Sequence, residues 1–322
     1  MKIKTLTVAV VSALIVSHPL FAQQDAGADL ANEKKLTLDL GVALINSTST
    51  LDTRGEEEIE DNTKAGEASN SALILPIFDF RYIFRNTDTE VFVGTPLDGS
   101  DLSLAVGVTQ PVDDLGKFSL SFAPSLGAEV WKNPYLENTK RKSTPEQRLT
   151  TKFAWKGIRN SPFDLTYSHT GSDVEEDDIG DLYQDLQRDG YAESVQLTYN
   201  VGLSQSSVVS PSLMHEKNHL QGSANNYDKS GMSVKYQTGN ADHYFMLELS
   251  ANKAMYKTEH PIYKETRRDQ EAGIFAMLHL LNLFDVEGMH SNIIVGTGTL
   301  DSNIDFFDSS ISYLAVTLGY SY

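Results

Sequence analysis

The sequence predicts an all-β chain: a transmembrane, antiparallel up-and-down β-barrel of about fourteen strands. Three observations carry that expectation. Residues 1–22 are built like a secretory signal. The remainder alternates apolar and polar residues in runs of about ten. The connections between those runs alternate between short and long.

Composition narrows the field first. The 322 residues are 40% hydrophobic and 22% charged, with 14 Phe, 14 Tyr and a net charge of −18. That is too polar for a helical membrane bundle and too aromatic for a disordered chain. Without cysteine there are no disulfides or thiolate metal sites. The acidic balance argues against nucleic acid as a partner, because phosphate binding needs a basic footprint.

In MKIKTLTVAVVSALIVSHPLFA, Lys2 and Lys4 precede an apolar run from Leu6 to Val16, and Ala22 offers a small residue for cleavage before Gln23. The apolar run is shorter than the roughly 18–20 residues a helical span requires. Removing it deletes two lysines and no acid, which leaves the mature chain more negative still. The expected organisation is a signal over 1–22, a short periplasmic tail over 23–34 and a barrel over 35–322. The best remaining apolar stretch, Gly273 to Phe284, is interrupted by His279 and Asn282, so no spanning helix is expected.

Strands are expected at 35–46, 73–85, 90–95, 102–110, 117–131, 148–157, 163–172, 191–202, 207–215, 229–238, 243–256, 268–281, 290–300 and 309–322. Segment 90–101 is the weakest, and without it the even count falls to twelve. Alternation is plainest at Phe118, Leu120 and Phe122 against Lys117, Ser119 and Ser121, and at Val195, Leu197 and Tyr199 against Ser194, Gln196 and Thr198. Short turns (86–89, 112–116, 158–162, 203–206, 239–242) belong on the periplasmic side and long loops (47–67, 132–146, 173–190, 216–228) outside. Phe78, Phe80, Tyr82, Phe84, Phe153 and Trp155 share the outward parity, as aromatic girdles at a lipid interface do. A soluble β-sandwich would show similar alternation strand by strand, but not this rhythm of connections.

The chain closes on Tyr313-Leu-Ala-Val-Thr-Leu-Gly-Tyr-Ser-Tyr322. This resembles the terminal strand of Gram-negative outer-membrane β-barrels, an aromatic end with apolar residues at alternating positions before it. The resemblance implies a bacterial outer-membrane location in contact with lipid and lipopolysaccharide. It also implies that the barrel-assembly machinery reads Leu314, Leu318, Tyr320 and Tyr322. A porin-like member of that superfamily is expected.

Fourteen strands lie between side-chain-filled eight-stranded barrels and open sixteen-stranded ones, so a narrow or plugged pore is expected. Parity points Asp39, Asp79, Arg81, Lys117, Glu129, Arg148, Lys152, Lys156, Asp164, Lys235, Glu248 and Glu271 inward as pore-lining candidates. Lys117, Arg148, Lys152 and Lys156 stand on strands five and six, with Glu248 and Glu271 nearly opposite on eleven and twelve. The arrangement resembles the transverse field of general porins, with Lys152 and Glu248 near the constriction. Lumen charges that merely pair with neighbours are an equally good reading.

Two loops are strongly acidic, at 56–61 and 173–189. They read most simply as solvated loops, with divalent-cation binding at the lipopolysaccharide surface, or a mouth that enriches cations, as the functional alternative. His215-Glu216-Lys217-Asn218-His219 is a literal HExxH, but it leaves a strand toward Gly222 with room for only a short helix and no third ligand, so it reads as a loop turn. No His has a Ser two positions later, and His169 and Ser172 take opposite parity. No catalytic residue, metal or cofactor is assigned. The expected function is passive diffusion of small polar solutes or ions. A non-conducting surface barrel with partner-binding acidic loops is the first alternative, and an outer-membrane hydrolase the second.

Overall fold

In a soluble sheet the exposed face is polar; here it is apolar. The first strand, β1 (Glu33–Ser47), turns Leu38, Leu40, Val42 and Leu44 to the exterior, with Leu40 at 63% exposure, and shelters Asp39, Gly41, Ala43 and Ile45. Only a solvent as apolar as hydrocarbon makes that pattern stable, because each exposed leucine would otherwise lose about 1.5–3 kcal/mol of transfer energy.

The computed structural model describes residues 32–96 and 102–322. The expected signal over 1–22 and most of the tail over 23–34 lie outside the described residues; Glu33 and Lys34 are already in β1. After β1 come β2 (Ser69–Phe84), β3 (Thr89–Gly94), β4 (Ala105–Val112), β5 (Gly116–Pro124, resumed at Glu129–Trp131) and β6 (Ser143–Lys156). Next are β7 (Phe163–Val174), β8 (Gly190–Tyr199, extended by Val201–Gly202), β9 (Ser207–Leu220) and β10 (Tyr227–Gly239). The last four are β11 (His243–Glu259), β12 (Thr266–Leu280), β13 (Met289–Ser302) and β14 (Ser309–Ser321).

Every strand pairs antiparallel with its neighbours in sequence, and β14 pairs with β1 from Thr37↔Ser321 to Ser47↔Ile311. The sheet is therefore a closed fourteen-stranded barrel in which every edge is paired, the condition for crossing a bilayer with strands. Among the described residues no helix is long and apolar enough to cross a membrane.

Tight turns at one end need backbone that most residues avoid. Asp88 and Asp114 sit at positive φ, and Gly116 at φ +104°, where a Cβ would strike the carbonyl oxygen of Lys156. Aromatic rings gather outside that end: Tyr82 on Phe84, Phe118 on Trp155, Phe163 on Tyr199 and Tyr320 on Tyr322, with centroids 4.6–5.3 Å apart. They form the expected girdle.

Three boundaries differ most from expectation. β2, β6 and β9 run farther into the long-loop end, because Ser69–Ser71, Ser143–Gln147 and Glu216–Leu220 are polar on both faces and show no alternation. HExxH consequently lies on a strand rather than in a turn. His215 and His219 face outward beside Val195 and Tyr191, while Glu216 faces the lumen and accepts from Tyr227 Oη at 2.7 Å. Strand 117–131 is broken at 125–128, with Gly127 at φ +70°. The interruption shifts parity, so Glu129 stands opposite Pro145 on the face away from Lys117. Glu129 is thus not a lumen residue.

Candidate functional site

The lumen has two unlike halves. Inward residues of β11–β14 and β1 are large and close-packed: Tyr244, Met246, Phe275, Met277, Ile294, Ala315, Ala43 and Ile45 form one buried cluster, with Met246 fully inaccessible. Many inward residues of β4–β9 are hydroxylic and half-sheltered, among charged ones such as Arg148, Lys152 and Lys156. Their hydroxyls bond across the strands as Thr109–Ser119, Thr150–Thr170, Ser168–Ser194 and Thr198–Ser212, at 2.7–3.1 Å. The lumen wall thus carries its apolar cluster on β11–β14 and β1 and its bonded hydroxyls on β4–β9.

Register points the other eleven charged residues read as pore-lining inward. Many are paired. Arg81 binds Asp79 and Glu90, each at 2.7 Å, and Arg148 binds Glu146 at 2.6 Å. The acids of β11 and β12 meet lysines on β10: Glu248 stands opposite Lys235, and Glu271 lies 3.4 Å from Lys229. Lys229 was not legible as a lumen residue because the sequence around 216–228 reads as loop up to its doorstep. Asp164 accepts from Gly157 N at 2.7 Å and Asn200 Nδ2 at 2.9 Å.

At the β1–β14 seam, Asp39 accepts from Thr317 Oγ1 at 2.8 Å and Asn292 Nδ2 at 3.0 Å, and lies 3.2 Å from His290 Nε2. His279 joins through Asn292 at 2.7 Å. This network fastens the closing pair of strands. Asp39→Ala strands a buried histidine and is expected to cost about 3–5 kcal/mol. The measurement is the temperature of the heat-modifiable gel shift, and a barrel as heat-resistant as wild type would contradict the assignment.

The long-loop end is capped. Residues 48–68, 125–142, 260–265 and 303–308 interlock over the mouth. Arg141, 4% exposed, donates to the carbonyls of Thr50 at 2.9 Å, Pro134 at 3.0 Å and Glu56, and lies over Trp131 at 4.5 Å. Burial pushes its guanidinium down to about 10. Asp52 and Arg54 form a buried pair at 2.6 Å, and Ile59 bridges Glu137. Beneath them Tyr135, His260, Tyr263, Phe306 and Phe307 pack ring on ring, with Tyr135 Oη 3.1 Å from His260 Nε2. Burial, then the charge of Arg267, lowers His260 to about 4.

The acidic loops serve this cap. Asp177 binds Arg188 at 2.6 Å, and Arg188 also donates to the carbonyls of Trp131 and Lys132. Glu176 pairs with Lys132, Glu57 with Lys140 and Asp61 with Lys64. Among the described residues no three His, Asp or Glu side chains converge as metal ligands would. His169 and Ser172 face opposite sides of β7, the first stacking on Tyr191 outside and the second donating to Glu146 within.

Among solved structures, a loop-deletion mutant of OmpT from Vibrio cholerae is 9% identical, with 91% of this chain and 100% of that one covered at a TM-score of 0.43. The channel DcaP of Acinetobacter baumannii is 9% identical over 92% and 99%, at 0.43. A Pseudomonas aeruginosa FadL homologue is 10% identical over 89% and 90%, also at 0.43. None of the curated proteins matches the chain. Residues 35–321 match the model of one family throughout, and the chain belongs to that family, described as "Protein of unknown function (DUF2860)".

Proposed function

We propose that this outer-membrane barrel conducts small polar solutes by passive diffusion along the polar half of its lumen, with the loop cap as its gate. The single observation behind this reading is the asymmetry of the interior. A barrel serving only as a scaffold gains stability from apolar packing all round, yet here the packing stops at β10 and gives way to half-sheltered hydroxyls and lysines. The long-loop end is extracellular and the short turns periplasmic, the arrangement usual for such barrels. Leu314, Leu318 and Tyr320 face outward in one row on β14 with Tyr322 beyond it, a stripe suited to recognition by the assembly machinery. In the surface-protein alternative the acidic loops bind partners, yet four of their carboxylates, on Glu57, Asp61, Glu176 and Asp177, are engaged by the chain's own arginine and lysines. No residue is assigned a catalytic role.

The test is planar-bilayer conductance of the full chain, purified in detergent. Stepwise single-channel currents are expected, small and flickering because the cap is shut in its resting arrangement. A heat-modifiable, properly folded barrel that stays silent under every gating condition would overturn the channel and favour the surface-protein alternative.

A further inference from the structure

Lys117 on β5 and Lys156 on β6 stand directly opposite in the register, both facing the lumen. Like charges placed directly opposite each other destabilise the pair. Neither ammonium, nor that of Lys235 on β10, lies within 4.0 Å of a carboxylate among the described residues. Arg81, Lys117 and Lys235 all act electrostatically on Lys156, and Asp164 is the acid that acts with them. Arg81, Lys117, Lys156 and Lys235 all lie near the short-turn ends of β2, β5, β6 and β10. Arg81 is already neutralised by Asp79 and Glu90. Three lysines remain against Asp164 and Glu248, and Asp164 already accepts two other hydrogen bonds. A local excess of positive charge thus sits inside a chain of net charge −18.

From this juxtaposition we infer that Lys117, Lys156 and Lys235 form an anion site near the short-turn end of the lumen, and that the solutes carried are small anions bearing a carboxylate, phosphate or sulfate group. The inference rests on the channel reading and gives it a substrate class. An anion between the paired ammoniums replaces their repulsion by two attractions, in a lumen where low-dielectric walls strengthen both. Arg148, Lys152 and Lys156 occupy every fourth position of β6 and face the lumen together, about 13 Å apart along the strand.

Two readouts test the proposal on the full chain. Under a KCl gradient, the wild-type reversal potential should report chloride permeating more readily than potassium. K117Q/K156Q should reduce that permeability ratio by about two-fold or more, while K117R/K156R should keep it. Separately, inorganic phosphate at constant ionic strength should raise the heat-modifiability temperature of wild type and not of K117Q/K156Q, since a ligand that binds only the folded state stabilises it. Conduction with cation preference, and no effect of the glutamines, overturns the anion site and leaves the channel standing. A silent barrel still stabilised by phosphate in a lysine-dependent way overturns the channel and leaves the anion site. Silence without stabilisation overturns both.

Discussion

Arg141→Ala is expected to open the mouth of the barrel and raise its single-channel conductance several-fold. The guanidinium ties three segments together through the carbonyls of Thr50, Glu56 and Pro134. Its loss leaves those acceptors sheltered and unpaired and removes the cation from the face of Trp131. Hydrogen bonds to a charged group contribute about 1.5–3 kcal/mol each, so the cap loses more than about 3 kcal/mol even after allowing for non-additivity. Arg141→Lys should open it nearly as far, because one ammonium cannot span three carbonyls. The barrel itself should keep its heat-modifiable gel shift, since none of these contacts lies in the wall. Trypsin cleavage at the neighbouring exposed Lys140 and Lys142 should quicken in parallel. Unchanged conductance and an unchanged digestion pattern would show that the cap is not held by this residue.

Acidification should open the same gate. His260 is neutral in the closed cap, where its level is about 4 against 6.5 for the free side chain. A histidine shifted in that direction favours the closed state fully above pH 6.5. Its contribution is lost as pH falls from 6.5 toward 4, and the whole shift corresponds to roughly 3 kcal/mol. The charged form has nowhere to go: it faces the hydroxyl of Tyr135, the rings of Tyr263 and Phe307, and the positive charge of Arg267. Burial raises Asp308 in the adjacent loop, and its protonation in acid acts in the opposite sense. Conductance should therefore rise as the loop-side pH is lowered from 7 to 4, and His260→Gln should remove most of that rise. A wild-type channel indifferent to pH over this range would refute the coupling.

Much of the architecture was legible in the residues. Fourteen strands, their alternating short and long connections, the inward parity of Asp39, Arg81, Lys117, Lys156 and Lys235, and the aromatic girdle all follow from period two read against an apolar exterior. Where that contrast fades the reading failed, as at Glu216–Leu220, where both faces are polar. It failed again at Glu129, because the interruption at 125–128 leaves composition unchanged but reverses which way the resumed residues Glu129–Trp131 point. The lysines of β5 and β6 face the lumen where parity put them, and Glu248 and Glu271 stand by Lys235 and Lys229 of β10.

The sequence by itself thus determined the barrel and the facing of its wall, because both are local: each strand must turn an apolar row to lipid whatever stands across the lumen. Tertiary structure alone decided which half of the interior is packed and which is wet, and that the mouth is closed. Those outcomes depend on contacts between residues far apart in the chain. Arg141 finds its acceptors 91 and 85 residues away, and Tyr135 meets His260 across 125. No periodicity records such distances; only the closing of the β1–β14 seam brings them together.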